Sequence, residues 1–200
     1  MDGVLPLWLK IAYSLLCLII VPIWIRNYGP KNFLWFSDIA LFTTAIALWL
    51  ESALLAGLMA LAVVLPELVW AVSFFARLLF GVRVSDLADY MFHAQKPRYV
   101  RALSLVFHIV MPGVLIWIIY ELGYDSRALP AQTALAWIVL PLTYALTTPQ
   151  QNINWVYGLW GGAQQRIPRL AYLAALMLLV PLGLYLPMHL ALKAAFGAPI

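Results

Sequence analysis

Between Ser52 and Leu79 the chain reads SALLAGLMALAVVLPELVWAVSFFARLL, apolar throughout except for Glu67 near its middle and Arg77 near its end. About 20 residues of this kind are enough to carry a helix across the hydrocarbon of a bilayer. A helix apolar on every side must lie inside a large core or in lipid. With 200 residues, 65% of them hydrophobic and 10% charged, and a mean hydropathy of +0.92, the chain has far more apolar surface than one core can bury. Soluble domains carry roughly 25% charged residues. These constraints leave a membrane-embedded helical bundle.

Five further apolar runs are separated by breaks rich in Pro, Gly and polar residues. The pattern predicts an all-α, polytopic membrane protein forming one bundle over residues 1–200. Its six transmembrane helices fall near residues 5–25, 33–50, 54–79, 102–120, 132–147 and 170–192. Glu51 and Ser52 leave room only for a tight turn, so the second and third spans should form an antiparallel hairpin. Two short interfacial segments are also expected. In the first, Val84 to His93, a helical stripe runs through Val84, Leu87, Ala88, Met91 and Phe92, with Asp86 and Asp89 off it and Ser85 as N-cap. The second lies in the connection TTPQQNINWVYGLWGG, which has no charged residue. Ile153, Val156, Tyr157 and Trp160 share a stripe there, and Gly161 and Gly162 end it.

Basic residues fix the orientation. Arg26, Lys31, Arg77, Arg83, Lys96, Arg98, Arg101, Arg166 and Arg169 fall on one side of such a bundle, and Lys10, Arg127 and Lys193 on the other. The positive-inside rule then sets both termini outside the cytoplasm, in a cell membrane of the bacterial inner-membrane kind. Trp24, Trp35, Trp155 and Trp160 form a belt at the inner level, and Trp8, Trp49, Trp117 and Trp137 one at the outer level. Trp70 alone falls near mid-depth. The opening residues lack the basic region of a cleaved signal peptide. The formal charge of +4 is accounted for by orientation and anionic headgroups, so membrane lipids are the expected partners and nucleic acid is not. A protein partner or a second copy of the chain is compatible with the same pattern. Cys17, the only cysteine, excludes a disulfide within the chain.

A carboxylate at the centre of a membrane helix costs roughly 2.5–3.5 kcal/mol on the insertion scale. Glu67 therefore needs a partner, and His108, at matching depth in the fourth span, can supply one. Such a pair handles protons, or is a general base with its orienting group. It also serves as a plain hydrogen bond between helices. Nearer the basic end lies Asp38, level with Asn32, Ser37, His93, Asn152, Asn154, Tyr157 and Arg101. The expected catalytic groups are Asp38, Glu67, His108 and Asn154. Asn32, Ser37, Asn152, Tyr157 and Arg101 are the expected substrate contacts, in a site open to the cytoplasmic leaflet with a basic rim for an anionic headgroup. Alternatively, Asp38 pairs locally with Lys31, Arg26 or Arg101. His93, His108 and His189 fall at three depths, which argues against a bis-histidine haem and a three-histidine metal centre, so no metal site is expected and no cofactor is implied. HExxH, Walker A, GxGxxG and GxSxG motifs are absent. Three readings remain: an enzyme modifying a lipid or other hydrophobic substrate, a small proton-coupled carrier using Glu67 and His108, and a subunit of a membrane complex without a site of its own.

Overall fold

A computed structural model describes residues 3–92, 96–159 and 164–197. His93, Trp160, Gly161 and Gly162, singled out above, lie outside the described residues. The described residues form helices α1 (Leu7–Tyr28), α2 (Phe36–Leu50), α3 (Ala53–Phe80), α4 (Arg98–Leu122), α5 (Ala128–Leu146), α6 (Arg169–Val180) and α7 (Leu186–Phe196). A π turn, Pro181–Tyr185, joins α6 to α7 without a break. Short 3-10 turns cover Pro30–Leu34, Asp89–Phe92 and Ile153–Trp155, and there is no strand among the described residues.

Five of these helices, counting Arg169–Phe196 as one, are long and apolar enough to cross a membrane. Large apolar side chains point outward along them: Leu18 is 69% exposed and Phe80 77%. That surface belongs in lipid, so the chain is a multi-pass membrane protein. The second expected span is shorter than its apolar run. α2 has 15 residues and reaches about 22 Å, against the roughly 30 Å of a hydrocarbon core. Trp35 explains the loss, because its extended backbone (φ −59°, ψ 137°) separates α2 from the 3-10 turn before it.

α3 is the axis of the bundle. It packs against α2, α4, α5, the π turn and α7, and every residue from Ala56 to Val63 is buried. Gly57 permits the closest approach: a Cβ there would meet the Ala128 Cβ at 3.0 Å and the Tyr124 ring at 3.2 Å. The turn into α3 is tight, with Glu51 left-handed (φ 49°) and Ser52 Oγ accepting from the Leu55 N–H at 3.3 Å. α6 packs on α5, and the last span packs on α3 mainly through the π turn and α7. Pro181 has no N–H to offer the carbonyl one turn back, that of Met177, and in lipid an orphan carbonyl is costly. The Trp137 indole on α5 donates to that carbonyl at 2.9 Å. One residue set further on, Gln132 Nε2 donates to the Tyr185 hydroxyl at 3.2 Å and ties the π turn to the same helix.

Both interfacial segments differ from expectation. Val84 to Phe92 holds a single 3-10 turn, Asp89–Phe92, in place of an amphipathic helix. The cause is side-chain anchoring. Asp89 pairs with both Arg77 and Arg83, and Arg83 also reaches Asp86 at 2.8 Å. Ser85 Oγ does receive the Leu87 N–H (3.4 Å), but its main partner is Ser73 Oγ on α3, at 2.7 Å. A helix this short is marginal by itself, so these anchors outweigh it. They fold the segment as a strap under the end of α3, where Ala88 and Met91 bury against Trp70 and Phe74. In the second segment Asn152 (φ 40°), Asn154 (φ 52°) and Trp155 (φ 56°) are left-handed, which interrupts a longer helix and leaves, among the described residues, the turn Ile153–Trp155. Asparagine tolerates that region better than most residues.

Candidate functional site

The ends of α1 and α3 and the starts of α4 and α6 carry Arg26, Arg77, Arg98, Arg101 and Arg169 and define a basic end of the bundle. A cavity of about 480 Å³ runs from this end to mid-depth. Its floor is made by Ala62, Val63 and Pro66 of α3, Leu140 of α5, and Val180, Leu184 and Tyr185 of the last span. Its upper wall comes from the end of α1, the start of α2, α4 and the strap. Three carboxyls, Asp38, Glu67 and Asp86, line it, and no Lys or Arg does among the described residues.

One wall carries a continuous hydrogen-bonded row. His108 Nδ1 lies 2.5 Å from Glu67 Oε2, the contact considered from the sequence. On the far side of the ring, His108 Nε2 is 2.9 Å from the Tyr90 hydroxyl, which is in turn 2.6 Å from Ser104 Oγ. Helix geometry sets Ser104 and His108 one turn apart on α4, and the strap delivers Tyr90 between them. Burial pushes the Tyr90 phenol above its ordinary range, so it stays protonated. The consistent proton assignment is then Ser104 donating to Tyr90, Tyr90 donating to Nε2, and the Nδ1 proton held by the Glu67 carboxylate. The Trp70 ring stacks on the imidazole (centroids 4.3 Å, 24°) and fixes its plane.

Asp38 lines the same cavity from the first turn of α2, where a carboxylate is favoured by the helix dipole. It is 2% exposed. Asn32 Nδ2 donates to its Oδ2 at 2.7 Å, the Trp24 indole lies beside the carboxyl, and no Lys or Arg pairs with it among the described residues. The considered pairing of Asp38 with Lys31, Arg26 or Arg101 is not formed; Asn32 takes that role. Ser37 also lines the cavity.

Asn154 borders the cavity but its amide is fully engaged. Oδ1 accepts the Phe36 N–H at 3.0 Å and Nδ2 donates to the Leu34 carbonyl at 2.7 Å. It clamps the start of α2 and so positions Asp38. Beside it, Trp35 and Trp155 meet edge to face at 6.1 Å. Asn152, Tyr157 and Arg101 are not part of the cavity lining. Asn152 closes its own loop, donating to the Gly158 carbonyl (2.8 Å) and accepting from the Tyr157 N–H (3.0 Å). Tyr157 donates to the Tyr144 and Thr147 carbonyls at the end of α5. Arg101 reaches the Met91 carbonyl at 3.1 Å and holds the strap.

Sequence reasoning passed over Tyr90, Ser104 and Trp24 as site residues. The signal for Tyr90 was indirect: Asp86 and Asp89 match Arg77 and Arg83, and that charge pattern folds the strap back. Among the described residues no three His, Cys, Asp or Glu side chains come together as a metal-binding set. Comparisons with protein families, with curated proteins and with solved structures find no match to this chain.

Proposed function

We propose that the chain crosses the membrane six times with both termini on the non-cytoplasmic side, α2 being the short crossing, and that the cavity is the active site of an enzyme acting on a lipid or other hydrophobic substrate in the cytoplasmic leaflet. One observation carries the reading: a row of proton-transfer groups, Ser104, Tyr90, His108 and Glu67, set into a mainly apolar cavity. A substrate hydroxyl or a water at Tyr90 passes its proton to the phenol oxygen as the phenol proton moves to His108 Nε2. The imidazolium formed is stabilised by the Glu67 carboxylate against Nδ1. General-base assistance of this kind is worth about 10²–10⁴ in rate. Asp38, in the lining of the same cavity, holds the substrate's polar end. Asn154 is a positioning residue for Asp38.

The test is mass spectrometry of lipid extracts from cells expressing the wild type, His108→Gln, Asp38→Asn or an empty vector, each protein being quantified in the membrane. The expected result is a change in lipid composition with the wild type that both variants lose at equal expression. Extracts that do not distinguish the wild type from His108→Gln refute the enzyme reading. A second reading draws on Pro66, beside Glu67, and on the π turn at Pro181, both at cavity level. A proline and a π turn locally loosen two spans at that level, as the moving helices of a carrier require. Proton uptake into vesicles that Glu67→Gln abolishes, with lipid composition unchanged, would favour it.

A further inference from the structure

The cavity's charge runs against that of the end it opens on. The basic end suggests an anionic ligand, yet the cavity wall is acidic and aromatic. Asp38 lines this cavity with the Asn32 amide and the Trp24 indole beside its carboxyl and no ion-pair partner among the described residues, and a buried carboxylate without a counter-charge is costly unless a ligand supplies one. Around it stand π faces. Trp24 packs edge to face on Tyr28 (5.5 Å) and on Phe107 (6.4 Å), and Trp35 and Trp155 form the next pair along the wall. A carboxylate among aromatic rings is the arrangement that recognises an ammonium or quaternary ammonium group, through the ring quadrupoles and one desolvated counter-charge. The protein already uses one of these rings in that way, since the Lys96 ammonium sits 4.0 Å from the Tyr28 ring centroid. We infer that the cavity binds the cationic head of an amphiphile, with the nitrogen at Asp38 and its aromatic surround and the apolar tail along Leu140, Val180 and Leu184. This rests on the cavity being the ligand site proposed above, and it replaces the anionic headgroup expected from the basic rim. Two sources offer such a head, a zwitterionic phospholipid and a free cationic amphiphile.

The experiment measures tryptophan fluorescence of the full chain in maltoside micelles, titrated with decyltrimethylammonium, decanol and decanoate. Decyltrimethylammonium should bind saturably and at least about tenfold more tightly than decanol, with decanoate weakest. Asp38→Asn and, separately, Trp24→Leu should each narrow the preference for the cation over decanol by about tenfold, and cooperative thermal unfolding in the same micelles reports that the variants are folded. Release of bound decyltrimethylammonium by phosphatidylcholine but not by phosphatidylglycerol identifies a lipid headgroup as the source; no release by either identifies a free amphiphile. Decanoate binding as tightly as the cation, or a cation preference untouched by Asp38→Asn, overturns the inference. Saturable binding of decanol without a cation preference leaves the hydrophobic-substrate reading standing and removes only this one. No saturable binding by any of the three probes removes both.

Discussion

Replacing Glu67 and His108 by Gln, singly and together, gives an ordering that follows from the geometry. Glu67 is 5% exposed and its Oε2 lies 2.5 Å from His108 Nδ1. Glu67→Gln keeps an acceptor oxygen for the Nδ1 proton and loses only the charge assistance, about 1–2 kcal/mol. His108→Gln strands a buried carboxylate, for which about 3–5 kcal/mol is the usual cost. It also removes the partner of the Tyr90 hydroxyl. The double variant has no buried charge left, so it should be more stable than His108→Gln alone. The coupling between the two positions is then about 1–3 kcal/mol. For a chain of this size 1 kcal/mol moves the thermal midpoint by about 2–4 °C, so His108→Gln should fall by about 6–20 °C and the double variant should recover part of it. Thermal unfolding in maltoside micelles, followed by tryptophan fluorescence, reads all four proteins. Single losses that add within about 0.5 kcal/mol would show that the contact does not exist in the protein. A double variant less stable than His108→Gln would show that the stranded charge is not what the single variant suffers from.

Two further outcomes test anchors at the two ends of the bundle. Asn154→Ala removes the partners of the Phe36 N–H and the Leu34 carbonyl and puts alanine at φ 52°; the expected loss is about 3 kcal/mol in the same unfolding assay, and an unchanged midpoint would mean the clamp on α2 is not formed. At the opposite end, Lys10 Nζ donates to the Glu51 carboxylate at 2.8 Å, and the Leu5 and Val4 N–H groups donate to it at 3.1 and 3.0 Å. These contacts, Lys10 first, hold its pKa below the ordinary 4.5. A depressed folded-state pKa means that the stabilisation is complete above about 4.5 and is lost as pH falls through the lower folded value. Exchange protection of the Val4 and Leu5 amides should therefore drop in that acid range in the wild type and be low and flat with pH in Glu51→Gln. Equal protection in both proteins at neutral pH would remove Glu51 as the anchor.

The helices were legible because lipid demands long apolar runs, and each run found in the sequence contains a helix. Their ends were less so. α4 starts at Arg98, a turn before its apolar run, because Pro97 suits the N-terminal cap and its preceding extended conformation. α2 starts late because Trp35 is extended, which no local pattern announces. The Glu67–His108 contact could be anticipated from depth alone, since two costly groups at one level in a dry bundle are driven together. Asn152 and Asn154 are two amides in an uncharged loop near lipid, where each needs a partner, and that need alone turns Asn154 into the bundle. The fold adds that its partners lie at the start of α2, while Asn152 ties its own loop.

Tyr90 shows why the rest of the site stayed hidden. Its neighbours Leu87, Ala88, Met91 and Phe92 do sit at helical spacing, and an isolated amphipathic helix would have put Tyr90 in the membrane surface. What decides its position is a set of contacts distant in sequence: Asp89 on Arg77, Ser85 on Ser73, and the Met91 carbonyl on Arg101. Each is weak by local rules, and a surface ion pair alone contributes at most about 1 kcal/mol. Together they act on one short strap whose alternative, a single turn or two of interfacial helix, has little stability to lose. The same arithmetic gives the strap a functional consequence. Its phenol completes the proton row and Asp86 and Leu87 form part of the cavity wall, so a ligand that touches them binds only the folded-back form and must stabilise it by mass action. Protection of the strap amides should therefore rise with ligand occupancy while that of the α3 amides facing the core, already buried, stays as it was.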